Sequence, residues 1–228
     1  MTHTIELQYF FDPFCGWCYA SAPALEGLAG KFPGALRMMP SGLFYGSRPI
    51  SAISDHAWRN DQRIQSLTGQ PFSEAYHQNV LLSSTGIFTS APATLALQAL
   101  GELEAPLEPA FLHAVQLARY VEGHDTAKEK EVAKVAVAVA RKHGFELAIE
   151  GVSERLKNDV DLRERTLERM EATQARMHDL GIQGVPQLIV VVDGRPIQLN
   201  GDVLYQGSDR LLAAIEDLTA SVQPTSNG

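Results

Sequence analysis

The chain has 228 residues, of which 45% are hydrophobic and 20% are charged. This is an ordinary globular composition, and the length allows one large domain or two small ones. Lys and Arg number 19 against 27 Asp and Glu, and the resulting formal charge of -8 disfavours nucleic acid or an anionic membrane surface as a partner. No apolar run approaches the roughly 20 residues of a membrane span.

The N-terminal residues carry no basic segment followed by an apolar run and a small-residue cleavage site. We therefore expect no secretory signal and a cytoplasmic protein. The chain contains only two cysteines, Cys15 and Cys18, and neither is needed to staple a small fold. In a reducing compartment, a Cys-x-x-Cys pair is more often catalytic than structural.

The first predicted element is a strand over residues 4–10, which has apolar residues on both faces and is expected to be buried on both. Helix formers follow the cysteines, and Pro23 should kink this helix or mark its first full turn. Residues 35–39 are predicted to form a second strand after a Pro-Gly turn. Strand, helix and strand in this order predict a right-handed parallel unit.

The two cysteines lie where the first strand turns into the helix. Two thiols separated by two residues can be joined in a small ring, and the free N–H groups and positive dipole at a helix start favour a thiolate on the first. The pattern indicates a reversible dithiol in which Cys15 attacks and Cys18 resolves. A buried apolar pair and a permanent disulfide are alternatives. No metal site is predicted, because the scattered histidines supply no close pair of further zinc ligands.

The middle of the chain is predicted to be helical. Residues 41–49 are Gly-rich and aromatic, which indicates a loop at a domain junction, and from there to about residue 154 the sequence predicts no strand. Thr126 is the expected cap of one helix and Gly144 its stop. The predicted helices cover residues 51–67, 72–82, 92–103, 109–121 and 126–143.

Residues 160–180 form the most periodic segment. Val160, Leu167, Met170 and Met177 recur between charges at heptad-like spacing, which predicts that they form the buried side of a long helix.

The C-terminal region is predicted to contain a β-hairpin and a last helix. Two apolar runs, residues 187–192 and 196–200, flank the turn pair Asp193-Gly194. The last helix is expected over residues 208–221, and residues 223–228 are expected to fray.

Two motifs carry a resemblance to a known family: Cys15-Gly16-Trp17-Cys18 at a strand-to-helix turn, and Gly181-Ile182-Gln183-Gly184-Val185-Pro186 before an apolar strand. With a long helical segment between them, they resemble the DsbA-like thioredoxin-fold disulfide oxidoreductases over nearly the whole chain. The resemblance implies an α/β thioredoxin fold with a large all-helical insertion. Residues 1–48 and 155–222 would form the thioredoxin-fold domain, and residues 49–154 the insertion.

The same resemblance implies a thiol-disulfide oxidoreductase or disulfide isomerase-like enzyme. It would exchange a disulfide between Cys15 and Cys18 and protein or small thiol substrates, without a metal or bound organic cofactor. Glutathione is a candidate co-substrate, and the reductant or oxidant that recycles the pair is left open.

Four residues are candidates for substrate binding. The resemblance implies that the bond before Pro186 is cis and that this proline lies against Cys15, so that Val185 can offer backbone groups to an extended substrate. Phe14 and Trp17 are candidates for an apolar surface around the cysteines.

Three other residues receive structural interpretations. Asp12 is interpreted as a turn residue. Core packing is the favoured interpretation of Phe44 and Tyr45.

The chain departs from familiar versions of the motif in two places. No histidine stands between the cysteines, as it does in strong oxidants, so we expect a potential in the reducing half of the range of about -270 to -120 mV. Tyr9 stands where relatives often have a buried acid, six residues before Cys15. Unless Glu6 substitutes, water or the phenol must handle the proton of Cys18, and that role is left unassigned.

Three alternative functions stay open. The kappa-type glutathione transferases and the 2-hydroxychromene-2-carboxylate isomerases are similar in layout but use a serine where this chain has Cys15. A glutathione-dependent reductase, transferase or isomerase of that group is therefore one alternative. A non-enzymatic partner-binding protein or chaperone would use the helical insertion, and a metal or cluster carrier would use two thiolates per chain.

Overall fold

The computed structural model describes residues 4–32 and 34–221. The strands are β1 (Ile5–Phe11), β2 (Leu36–Pro40), β3 (Arg48–Pro49), β4 (Ile87–Phe88), β5 (Gln187–Val192) and β6 (Arg195–Gln198). The helices up to the middle of the chain are α1 (Gly16–Ala20), α2 (Ala22–Lys31), α3 (Ser54–Thr68), α4 (Glu74–Tyr76), a π-helix (His77–Leu81) and α5 (Ala91–Gly101). The later helices are α6 (Leu107–Tyr120), α7 (Glu129–Lys142), α8 (Ile149–Asn158), α9 (Val160–Asp179) and α10 (Ser208–Ser221). Two 3₁₀ turns are Ile50–Ala52 and Gly201–Tyr205.

A four-stranded mixed sheet in the order β2-β1-β5-β6 forms the centre of the fold. β1 is parallel to β2, as the strand-helix-strand pattern predicts, and antiparallel to β5. Leu7 and Tyr9 are buried on one face of β1 and Phe10 on the other, which confirms that the strand is covered on both sides. The antiparallel register places Gln187 opposite Phe10. The chain just before β5 therefore passes the segment just after β1.

Helices cover both faces of this sheet. On one face, α2 packs against α10, and their Leu28 and Leu211 join the core of Leu7 and Tyr9. On the other face, Phe10 of β1 and Ile189 of β5 pack with apolar residues at the end of α9. Burial of a leucine or phenylalanine side chain contributes about 1.5–3 kcal/mol, so these layers fix the position of the strand ends.

Helices α3 to α8 fill the region of the predicted insertion, and their apolar side chains are continuous with the core of the sheet. The predicted boundary at residues 154 and 155 falls inside α8, which packs along α7. The division into two domains stays a prediction. Within the described part of the chain, no helix is both long and apolar enough to cross a membrane.

Two predictions for this region are wrong. β3 and β4 pair as a two-residue antiparallel ladder in a region predicted to have no strand, with Arg48 opposite Phe88. Two residues are too few to show the alternation by which a strand is recognised. Thr126 is not the cap of α7, because it lies buried in the preceding turn and Lys128 holds the cap position. The predicted stop at Gly144 is confirmed by its left-handed conformation, with φ of 86°.

The buried side of α9 differs from the predicted one. Val160 and Leu167 are 58% and 38% exposed, whereas Met170 is buried as predicted. At about 100° per residue, Leu167 and Val160 lie roughly 100° or more from the centre of the buried strip, whereas Met170 lies within it. The buried strip consists of Leu162, Thr166, Met170 and Thr173.

The predicted C-terminal hairpin and last helix are confirmed. Asp193 and Gly194 have φ of 49° and 82°, as a two-residue turn between antiparallel strands requires, and the flanking strands are β5 and β6. The predicted frayed tail, residues 223–228, lies outside the described residues.

Near the start of the chain, Pro23 lies in the first turn of α2, which confirms its predicted role as a helix start.

One ion pair joins the sheet to the insertion. Arg169 on α9 donates to both carboxylate oxygens of Glu108 on α6, at 2.6 and 2.8 Å, and to the carbonyl of Met38 in β2 at 2.6 Å. The Glu108 side chain is only 9% exposed. By contrast, Arg165 pairs with Glu102 at 2.7 Å on the surface.

Arg169→Met should lower the free energy of unfolding by about 3–5 kcal/mol, because it leaves the Glu108 carboxylate buried without its partner. The matched variant Arg165→Met should lower it by less than about 1 kcal/mol, since its pair is solvated. Urea denaturation followed by circular dichroism measures both. Equal losses in the two variants would contradict this assignment.

Candidate active site

The two cysteines differ in how far solvent reaches them. Cys15 is the residue that caps the N-terminus of α1, and its relative exposure is 7%. Cys18 lies one turn further along α1 and is fully buried. A visiting disulfide can therefore reach the sulfur of Cys15 first.

Burial also raises the pKa of the Cys18 thiol well above its usual value, and the nearby Cys15 sulfur raises this pKa further. Cys18 is thus held as a neutral thiol. Attack by Cys15 and resolution by Cys18 stay a prediction. The described residues contain no group of three or more His, Cys, Asp or Glu side chains that could hold a metal ion.

The segment before β5 lies against Cys15. The Val185–Pro186 peptide bond is cis, and the Cys15 thiol donates a hydrogen bond to the carbonyl of Val185 with 3.6 Å between sulfur and oxygen. The register of β1 and β5 brings these residues together although 170 positions separate them. Substrate binding by Val185 and Pro186 stays a prediction.

A groove of about 570 Å³ opens beside this contact. Trp17 is half-buried in its wall, where its ring packs on that of Tyr205 with 5.2 Å between centroids. The remaining lining residues are Leu67, Thr68, Val185, Pro186, Asp202 and Gln206. We call this feature the Trp17 groove.

Sequence reasoning missed Tyr205 and Leu67. Tyr205 ends the 3₁₀ turn after the hairpin, in a segment that has no periodicity to mark it. Leu67 is 63% exposed at the end of α3, and an exposed leucine in a helix looks like any other apolar position until its surroundings are known.

The prediction that Phe14 forms part of the surface around the cysteines is wrong. Its side chain is only 4% exposed, because the ring is enclosed between Phe88 and the guanidinium of Arg119. Phe44 packs edge-on against the same Phe88 ring, which agrees with its interpretation as a core residue. Phe14 therefore supports the active-site loop from inside the protein.

Asp12 does more than form a turn. Its side chain is fully buried and accepts hydrogen bonds from the N–H of Phe14 at 2.9 Å, the N–H of Phe44 at 2.9 Å and the hydroxyl of Ser90 at 3.2 Å. These bonds tie the cysteine loop to the loop after β2 and to the start of α5. Burial raises the pKa of Asp12 to about 6, although the three donors favour its charged form.

Tyr9 supports the backbone of Cys18. Its hydroxyl lies 2.7 Å from that of Ser21, which in turn donates to the Cys18 carbonyl at 2.9 Å. Burial raises the pKa of Tyr9, and a thiolate on Cys18 would raise it further, so the phenol stays neutral. Glu6 does not substitute for a buried acid, because it lies at the surface with Gln8 and Arg37.

Comparison of the sequence with models of protein families found no match, and comparison with curated proteins found none either. Among solved structures, the cytosolic disulfide reductase DsbM from Pseudomonas aeruginosa is 30% identical with a TM-score of 0.79, over 95% of this chain and 100% of that chain. The chain belongs to the DsbA-like disulfide oxidoreductases. The predicted thioredoxin fold and thiol-disulfide oxidoreductase activity are thereby confirmed.

Two further structures resemble this member of the family. DsbM determined with GSH is 30% identical with a TM-score of 0.76, over 93% of this chain and 98% of that chain. A putative protein disulfide isomerase from Nitrosomonas europaea is 22% identical with a TM-score of 0.72, over 96% of this chain and 100% of that chain, and shows the same fold.

Alkylation should separate the two cysteines of this oxidoreductase. Cys18→Ser retains only Cys15, and it should react with iodoacetamide at least about tenfold faster than Cys15→Ser, which retains the buried thiol with the raised pKa. Mass spectrometry of timed samples near neutral pH measures both rates. Faster labelling of Cys18 would reverse the assignment of roles.

Asp12→Ala should lower the free energy of unfolding by about 3 kcal/mol, because it leaves two buried N–H groups and a hydroxyl without their acceptor. Asp179→Ala, which removes a carboxylate that is 72% exposed at the end of α9, should change it by less than about 0.5 kcal/mol. Chemical denaturation of both variants tests this. An Asp12 variant as stable as the control would show that the three bonds contribute nothing.

Proposed function

We propose that the protein is a cytoplasmic disulfide reductase that is recycled by glutathione. The observation that carries the proposal is the position of Cys15, which keeps 7% exposure and has its sulfur 3.6 Å from the carbonyl of Val185, a lining residue of the Trp17 groove. Cys18 lies directly behind it with a raised pKa. The cytoplasmic location and the reducing direction are supported by the similarity to DsbM, which is described as a cytosolic disulfide reductase.

The reaction proceeds through two exchanges of sulfur partners. The Cys15 thiolate attacks a substrate disulfide, whose S–S bond breaks, so that one sulfur becomes bonded to Cys15 and the other leaves as a thiolate that takes a proton from water. Cys18 then loses its proton and attacks the sulfur of Cys15. The second substrate thiol is released, and the enzyme is left with a Cys15–Cys18 disulfide.

Glutathione would return the enzyme to its dithiol form. Two molecules of the reduced thiol supply two electrons and two protons, and they leave as one glutathione disulfide. The Trp17 groove adjoins Cys15 and has the hydrogen-bonding side chains of Thr68, Asp202 and Gln206 at its edge. The similarity to DsbM, a structure of which was determined with GSH, supports this choice of thiol. The proposed cycle uses no metal and no bound organic cofactor.

Substrate contacts are assigned to the open side of the site. Val185 presents its carbonyl to the sulfur, Pro186 lines the groove next to it, and Trp17 and Tyr205 supply an apolar surface there. Such a surface fits an extended segment of a protein or a small disulfide rather than a folded, charged partner.

The wild-type protein with reduced glutathione should reduce a mixed disulfide between glutathione and a small thiol, and Cys15→Ser should abolish the activity. When no reduced glutathione is present, Cys18→Ser treated with the same mixed disulfide should retain a covalent adduct of one glutathione on Cys15, because neither the resolving thiol nor a second free glutathione is there to release it. Coupled assay of glutathione disulfide and intact-protein mass spectrometry measure these results.

Two outcomes would overturn the proposal. Full activity of Cys15→Ser would exclude sulfur exchange at this site. Reduction by another small dithiol, with no activity and no adduct from glutathione, would exclude glutathione as the recycling thiol.

A further inference from the structure

A group of polar side chains from the helical insertion is buried behind the active-site loop. It consists of Asp61 on α3, Tyr76 on α4, and Arg119 and Tyr120 on α6, and we call it the insertion cluster. All four are 5% exposed or less. Burying charged side chains is costly, so a cluster in this position requires an explanation.

The insertion cluster contacts the residues on both sides of Cys15. Tyr120 donates a hydrogen bond of 2.7 Å to the carbonyl of Phe14, and Arg119 lies 3.9 Å above the centre of the Phe14 ring. On the other side, a Cβ at Gly16 would lie 2.7 Å from Oδ1 of Asp61. The carboxylate of Asp61 thus occupies the space that any other residue at position 16 would need.

Arg119 gives the insertion cluster a permanent positive charge. Within the described residues, none of its three guanidinium nitrogens has a hydrogen-bond partner, and the group is enclosed by aromatic rings. The Asp61 carboxylate accepts a bond of 3.1 Å from the Tyr76 hydroxyl. Burial raises the pKa of Asp61 to about 7, opposed by the Tyr76 bond and by the charge of Arg119.

Asp61 is the member of the insertion cluster whose charge changes near neutral pH. Burial raises the pKa of Tyr76 and of Tyr120, so both phenols stay neutral. The π-helix that follows Tyr76 contributes His77, but this ring stacks on Trp58 and lies beside the exposed carboxylate of Glu74. From α1, the residue facing Asp61 is Gly16, which has no side chain.

We propose that Asp61 is a positioning residue for Cys15, and that ionisation of its carboxyl group lowers the reactivity of the Cys15 sulfur. With Asp61 neutral, the insertion cluster has the single positive charge of Arg119, which favours a thiolate nearby. With Asp61 ionised, the two charges cancel, and a thiolate on Cys15 also meets a carboxylate beyond Gly16. Both effects disfavour the thiolate form of Cys15 and therefore slow its reaction.

The inference rests on Cys15 being the attacking thiol of the proposed function. Its test uses the Cys18→Ser background, in which Cys15 is the sole cysteine. In this background, the rate constant for alkylation by iodoacetamide is measured from about pH 5.5 to 9, with and without Asp61→Asn. Asn keeps the size of the side chain and removes its charge.

The ratio of the Asp61→Asn rate to the parent rate should be near 1 at about pH 5.5, where Asp61 is already neutral, and should rise to about fivefold between about pH 7 and 8.5. Asp55→Asn removes an exposed carboxylate at the start of the same helix and should give a ratio near 1 throughout. A ratio for Asp61→Asn that does not change with pH would overturn the inference.

Tyr76→Phe provides a second variant should Asp61→Asn not fold. It keeps the ring and removes the hydrogen bond that favours the charged form of Asp61, so Asp61 should stay neutral to a higher pH. Alkylation of Cys15 should then be faster than in the parent between about pH 7 and 8. An unchanged profile in a folded Tyr76→Phe variant contradicts the inference.

The proposed function and the role of Asp61 are distinguished by this experiment. If Cys15 is not alkylated at any pH in the Cys18→Ser parent, the proposed function fails. If it is alkylated normally and the folded variants do not alter the pH profile, only the role of Asp61 fails.

Discussion

The site depends on the antiparallel pairing of β1 with β5. This register sets Gln187 opposite Phe10, so the residues that follow β1 lie beside the residues that precede β5. Cys15 and the Val185 carbonyl are brought to 3.6 Å in this way. Because β1 is an inner strand and is buried on both faces, a shift of its register by one residue would turn Leu7 and Tyr9 to the wrong layer. The packing thus fixes the geometry of the chemistry.

The active-site loop is held from behind by groups distant in sequence. Asp12 fastens it to the loop after β2 and to α5, and Tyr120 and Asp61 of the insertion cluster contact the residues on either side of Cys15. The helical insertion therefore forms part of the wall of the site. In this arrangement Cys15 keeps a small exposure to solvent, while Cys18 is fully buried and burial keeps its thiol protonated.

The sequence predicts the elements of this site that carry a local signal. The spacing of Cys15 and Cys18 at a strand-to-helix turn indicates their chemistry, and resemblance adds the position of Pro186. The sequence misplaces Phe14 and misses Asp61 and Tyr205 because a contact that defines each role spans more than 40 residues: with Arg119, Gly16 and Trp17, respectively. A single sequence gives no signal that an aspartate on a polar helix faces inward.

The most direct test of the central claim is a crystal structure of the Cys18→Ser variant carrying one glutathione in mixed disulfide. The sulfur of glutathione should be bonded to Cys15, and its peptide should lie in the Trp17 groove with backbone hydrogen bonds to Val185. A glutathione that leaves the groove empty and lies on the opposite side of Cys15, away from Val185 and Tyr205, would contradict it.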